Sequence, residues 1–197
     1  MENDDYFDRV LKIKTCGRDD SISNYENFPY EPTSYLVLQR LIEQSYFSKK
    51  NTLLDYGCGK GRVDFYLTYE CGCKSIGIDY NERILQRAND NLKSFNKRAK
   101  ISFVHANACC YEVNDFVDRI YFFNPFCVDV LKIVINNIKK SYDNFNRELL
   151  LFFYYPSTKY LNYLNELVFL SKIDEINCMD LFNTFDSNER IIVYKFK

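Results

Sequence analysis

Between residues 55 and 62 the chain reads Asp-Tyr-Gly-Cys-Gly-Lys-Gly-Arg, an acid followed by glycine at every second position. Leu53 and Leu54 lead into it, so the segment is expected to be a strand end, a tight loop and a helix start. Gly57, Gly59 and Gly61 allow positive φ and remove the Cβ atoms that would hold a ligand away from the backbone. A loop at a helix N-terminus also gathers free N–H groups. A second acid, Asp79, closes the apolar run Ile76-Gly77-Ile78, 18 residues past Gly61.

Two common glycine loops are excluded by spacing. A dinucleotide loop, G-x-G-x-x-G, needs glycine where Arg62 stands. A phosphate loop, G-x-x-x-x-G-K-[ST], has Leu54 at its first glycine and Gly61 after the lysine. What remains is D-x-G-x-G-x-G, and in this the segment resembles the class I S-adenosylmethionine (SAM) methyltransferase family. The competing reading is a Gly-rich turn and a strand-end acid arising by chance in another α/β fold.

The resemblance implies a Rossmann-like α/β/α sandwich, with a seven-stranded, mostly parallel sheet and a C-terminal antiparallel hairpin. It implies SAM as cofactor and S-adenosylhomocysteine as its product. Asp55 and the backbone of Gly57 and Gly59 would hold the donor's amino-acid end, with Gly61 completing the loop. Asp79 would bind the ribose and Tyr80 would lie along the adenine, unless Tyr80 simply packs at a helix start. Asn107, followed by Ala108, stands where the family often has an Asp facing the adenine amino group; an amide oxygen can accept the same bond.

A further motif follows an apolar strand: Ile120-Tyr121-Phe122-Phe123 runs into Asn124-Pro125-Phe126. Amino-group methyltransferases carry (D/N/S)-P-P-(Y/F) there, and this chain lacks the second proline. By resemblance Asn124, Pro125 and Phe126 are the catalytic candidates, with a nitrogen of a small molecule or a protein side chain as the preferred acceptor. Methylation of a nucleic-acid amino group is a further alternative, and a SAM-binding sensor or partner subunit without transferase activity is the rival from another class. In several such families an N-terminal segment folds over the donor, which makes Tyr30 and Thr33 candidate lid contacts; capping of the following helix is the plainer role. His105, the only histidine, is expected to be packed or half-exposed rather than catalytic.

The elements that must position these residues follow from the alternation of apolar runs. Strands are expected at 52–56, 75–79, 101–105, 119–123 and 148–154, and helices at 34–46, 60–70, 81–95, 127–140 and 158–167. Asn81 is a natural N-cap, as is Thr33 or Ser34. Residues 168–177 and 190–196 leave no room for a crossover helix and should pair antiparallel. Residues 1–29 read as polar and irregular, and 1–50 as a lid or cap on a core of residues 51–197. The 197 residues suit one such domain.

Composition narrows the partners. Hydrophobic residues make up 47% and net charge is −1, so the chain is globular and has no overall positive field for nucleic acid. Lys93, Lys97, Arg98 and Lys100 form the densest basic cluster, read as a solvated helix end. The acidic start carries no apolar leader, and no run suits a membrane helix, so a cytoplasmic protein is expected. The eight cysteines include no C-x-x-C pair, which argues for buried reduced thiols rather than zinc.

Overall fold

The computed structural model describes residues 2–19, 28–95, 100–182 and 185–197. Seven strands form one sheet: β1 (Thr52–Tyr56), β2 (Lys74–Asp79), β3 (Ile101–His105), β4 (Arg119–Phe122), β5 (Leu150–Tyr154), β6 (Leu170–Asn177) and β7 (Arg190–Phe196). Their order is β3-β2-β1-β4-β5-β7-β6. The first five strands run parallel, and β7 pairs antiparallel with both β5 and β6. The expected topology is therefore present, hairpin included. Order reverses at β1 and β4, and a doubly wound sheet opens a crevice at the carboxyl ends of its strands there.

Six helices are described: α1 (Glu2–Leu11), α2 (Tyr35–Glu43), α3 (Arg62–Cys71), α4 (Glu82–Ser94), α5 (Val128–Asn144) and α6 (Thr158–Glu166). Strand side chains alternate between two apolar clusters. Leu53, Tyr121, Phe152 and Val193 pack on one face with α2 and α3. Leu54, Phe122, Phe153 and Ile192 pack on the other with α5 and α6. Asn81 caps α4 by accepting from the N–H groups of Arg83 and Ile84, and Ser34 caps α2.

The first 29 residues are not all irregular, because α1 occupies Glu2–Leu11. The segment hides its helix by being rich in acids, and those acids are what fix it to the core. Arg62, 1% exposed, is their partner. Its guanidinium meets Asp4 Oδ2 at 3.1 Å and Asp8 Oδ1 at 4.0 Å, and sits 4.5 Å from the centre of the Tyr35 ring. It donates to Thr15 Oγ1 at 2.7 Å and to the Thr33 carbonyl at 3.1 Å. Asp8 is in turn held by the Tyr35 hydroxyl at 2.7 Å and by Thr15. Lys60 Nζ donates to the carbonyls of Cys16 and Gly17, and the Asn91 amide bridges Lys14 and Lys60. The N-terminal segment is thus pinned to the glycine loop by the two basic residues that the loop itself carries.

Candidate functional site

A cleft of about 250 Å³ opens at the carboxyl ends of β1 to β4. Asp55, Gly57, Asp79, Tyr80, Asn107, Ala108, Pro125, Phe126, Tyr30 and Thr33 all line it. Residues chosen from five separate stretches of sequence therefore meet around one space: four follow parallel strands, which end on one side of the sheet and release their loops together, and the fifth, with Tyr30 and Thr33, precedes α2.

The glycine loop is built by stapling its backbone to β2. Gly57 and Cys58 donate their N–H groups to the Ile78 carbonyl at 2.9 and 3.0 Å, and Gly59 donates to Asp79 Oδ2 at 2.9 Å. This corrects one expectation. The N–H groups of Gly57 and Gly59 are engaged by the end of β2, so what Gly57 brings to the cleft it lines is its missing side chain. A Cβ on Gly57 would come within 2.5 Å of Pro125, and one on Gly59 within 2.0 Å of the Tyr30 ring, with φ positive at both. Neither Gly59 nor Gly61 is among the residues lining the cleft. Gly59 is covered by Tyr30, and Gly61 sits at the N-cap of α3 against Phe103 and Phe65.

The carboxylates differ in their company. Asp79, which lines the cleft, accepts from Gly59 N and from Asn81 N at 2.8 Å, which ties the end of β2 to the loop. Burial raises its pKa, and those N–H bonds oppose the shift. Asp55 is 3% exposed. Burial first, and then the neighbouring Asp64 and Asp79, hold its pKa well above the usual carboxylate range.

Beyond Asp79 the cleft holds Tyr80, half exposed, with its carbonyl 2.9 Å from His105 Nε2. His105 itself is exposed. Asn107 lines the cleft, but its Oδ1 accepts from Cys109 N at 2.9 Å and caps the short turn Ala108–Cys110. Tyr30 lays its ring over Gly59 and donates its hydroxyl to the Thr15 carbonyl at 2.8 Å. Thr33 Oγ1 lies 3.1 Å from the Tyr121 hydroxyl. Phe28 N donates to the Pro125 carbonyl at 3.2 Å, so residues 28–33 run from the Pro125 turn to the glycine loop.

Asn124 is placed differently from the expectation. It is not among the lining residues, and its φ is 40°. Its amide nitrogen donates to the Tyr155 carbonyl, and its Oδ1 accepts from Ser157 N at 3.3 Å. Both ends of the side chain are used to join the turns that follow β4 and β5. Pro125 and Phe126 remain in the cleft wall, and the Phe126 carbonyl accepts from the Tyr160 hydroxyl at 2.6 Å. Sequence reading missed Arg62 and Asn91 as anchors; Arg62 had served only to exclude a dinucleotide loop. Among the described residues no cluster of side chains suits a metal ion.

Comparison with known proteins agrees with this geometry. Residues 53–142 match the model of a methyltransferase domain family. The chain is 26% identical over 87 residues to a protein-lysine N-methyltransferase of Saccharolobus islandicus, covering 44% of this chain and 54% of that protein. It is also 26% identical over 117 residues to a histone-lysine N-methyltransferase, H3 lysine-79 specific, of Gibberella zeae, covering 57% and 23% respectively. The chain therefore spans about half or less of the length of these relatives. Among solved structures, the Pyrococcus abyssi tRNA (uracil-54, C5)-methyltransferase in complex with S-adenosyl-L-homocysteine superposes with a TM-score of 0.62 at 16% identity, over 85% of this chain and 40% of that one. Sheet order, loop and the match over residues 53–142 agree with the Rossmann-like class I fold of SAM-dependent methyltransferases, which the chain resembles.

Proposed function

We propose that this protein is a SAM-dependent methyltransferase whose donor lies in the cleft at the ends of β1 to β4. The observation that carries the reading is the convergence of Asp55, Gly57, Asp79 and Tyr80 on that cleft, with Pro125 and Phe126 on its far wall. The residues fit the donor. Gly57 leaves open backbone where any side chain would strike Pro125, Asp79 keeps lone pairs for two ribose hydroxyls, and Asp55 offers a carboxylate to an ammonium group. SAM supplies a methyl group already activated on a sulfonium, so the protein's task is alignment rather than proton transfer.

Pro125 and Phe126 would set the face from which the acceptor approaches. Asn124 then acts as a positioning residue, fixing the Pro125 turn through the segment after β5. Tyr30 and Thr33 form the lid, held shut by Thr15, Tyr121 and Arg62. The preferred acceptor is a nitrogen of a small molecule or a protein side chain. The lysine specificity in the names of the two curated relatives supports nitrogen, and a net charge of −1 disfavours a long nucleic-acid duplex. Within the basic cluster, Lys97 and Arg98 lie outside the described residues.

One observation favours the second reading, a SAM-binding protein without transfer. The Phe28–Pro125 bond lays the N-terminal segment across the acceptor wall. Incubation with methyl-labelled SAM and a panel of amine, hydroxyl and RNA acceptors separates the two. Label transferred to an amine, and lost in Asp79→Ala, is the expected result. Tight SAM binding with no transfer to any acceptor class would favour the binding protein.

A further inference from the structure

A net charge near zero hides a local imbalance on α4. Residues four apart on a helix stack along one side, each step rising ~6 Å. One such row is Arg83, Arg87 and Asn91, and the next is Glu82, Gln86 and Asp90. Both acids of the helix stand on the second row. Asp90 is turned along it by Gln86 Nε2 at 3.3 Å, and it also accepts from Lys93 Nζ at 2.7 Å. The first row is therefore cationic.

That row does not stop at Arg87. Asn91 is buried and holds residue 14 by both of its backbone groups: Oδ1 accepts from Lys14 N at 2.8 Å, and Nδ2 donates to the Lys14 carbonyl at 3.2 Å. This pair of bonds fixes Lys14 one turn beyond Arg87, where the next side chain of the row would stand. Arg83, Arg87 and Lys14 are all exposed, and among the described residues none of the three has a carboxylate at ion-pair distance. Beneath them Lys60 is 5% exposed and gives its ammonium to the carbonyls of Cys16 and Gly17. Burial and then the charge of Arg87 lower the Lys60 pKa, with Asp19 opposing. Positive charge is thus crowded here and lacks anions to balance it.

The row leads to the cleft, because Arg83 stands between Asn81 and Ile84, which both line it. Guanidinium groups at a regular spacing suit a ligand whose oxyanions repeat, and phosphate accepts their paired N–H donors. Cations in single file match one backbone rather than the two of a duplex. We propose that Arg83, Arg87 and Lys14 form a track for the phosphates of a single nucleic-acid strand, which runs along α4 to the mouth of the cleft. The contact is to the backbone and carries no sequence preference. The inference goes beyond the donor-site reading and stands apart from it, since the strand is bound without a donor.

The test is fluorescence anisotropy of the full chain with an end-labelled oligouridylate of about ten nucleotides, across a salt series and without SAM. Each phosphate contact to a single strand contributes about −0.7 to the slope of log affinity against log salt. Arg83→Gln combined with Arg87→Gln should make the slope shallower by about 1.4, and Lys14→Gln alone by about 0.7. Lys132→Gln combined with Lys140→Gln removes the same charge from α5 and should leave the slope unchanged. All five side chains are exposed, so the variants should keep the fold. Absence of saturable binding at low salt would overturn the proposal. So would equal flattening in the two double variants, which would mark a diffuse effect of net charge. Tighter binding of polyglutamate of the same length would overturn the assignment to phosphate, and tighter binding of a duplex the assignment to a single strand. Failure of S-adenosylhomocysteine to bind would leave these results as they are and bear on the donor-site reading alone.

Discussion

The two walls of the cleft are built by different means. The wall proposed to hold the donor is local: the loop after β1 is hydrogen-bonded to the last residues of β2, 20 or so positions away, through Ile78 and Asp79. The wall proposed to face the acceptor is remote: the Pro125 turn is fixed by an amide that reaches to Tyr155 and Ser157, and by Phe28 from the N-terminal segment. Local backbone stapling fixes ligand geometry with few side chains, whereas the remote wall depends on contacts that loop changes can alter. On the methyltransferase reading proposed above, that division would hold one donor while leaving the acceptor side open to change.

The sharpest way to break the comparison is to release the N-terminal segment from the donor wall. Arg62→Ala leaves Asp8 buried without its cation and Thr15 without its donor. We expect a loss of about 3–5 kcal/mol, the usual cost of removing one partner of a buried ion pair. Denaturant unfolding measures it, and faster amide exchange across residues 4–17 should accompany it. Arg62→Lys should not restore the loss, because an ammonium cannot reproduce the contacts to Thr15, Thr33 and the Tyr35 ring.

A second prediction concerns pH. Asp64 is lifted by burial from 3.8 to about 7, so the native chain binds more protons than the unfolded chain between those values. Its contribution to stability is complete below about pH 4 and is lost as pH rises through about 7. The steepest slope for one proton is about 1.4 kcal/mol per pH unit. Asp64→Asn should flatten the stability profile across that window, and parallel slopes in the two proteins would contradict the assignment.

Smaller effects separate the walls further. Gly59→Ala carries two penalties, a clash with Tyr30 and a left-handed φ of 55°. In a Tyr30→Ala background the clash disappears, and about 1–2 kcal/mol of backbone strain should remain. Asn124→Ala removes the bonds to Tyr155 and Ser157 and should cost about 1–1.5 kcal/mol. It should raise KM for the acceptor while leaving the affinity for S-adenosylhomocysteine unchanged; an equal loss of donor affinity would show that the walls are not separable.

Legibility in the sequence follows the same division. The glycine spacing of the loop, the caps at Ser34 and Asn81 and the two strands of the terminal hairpin were readable because each is written in residues a few positions apart. Helix Glu2–Leu11 was not, since its acids suggest solvent until Arg62, more than fifty positions away, is seen between them. Asn124 illustrates the limit at the site itself. Its residue type and strand-end position matched a substrate-binding motif, but its partners lie 31 and 33 positions away on another turn. Residue type fixed what the side chain could bond, and topology decided which groups came within reach.

The most direct measurement of the central claim is a calorimetric titration of the ligand-free protein with S-adenosylhomocysteine, with NADH alongside and Asp79→Asn and Asp79→Ala as variants. The account predicts one site for S-adenosylhomocysteine, none for NADH, and loss of binding in a folded Asp79→Ala protein. Asp79→Asn keeps an acceptor oxygen and should bind more weakly. Saturable binding of NADH, or wild-type affinity for S-adenosylhomocysteine in Asp79→Ala, would contradict it.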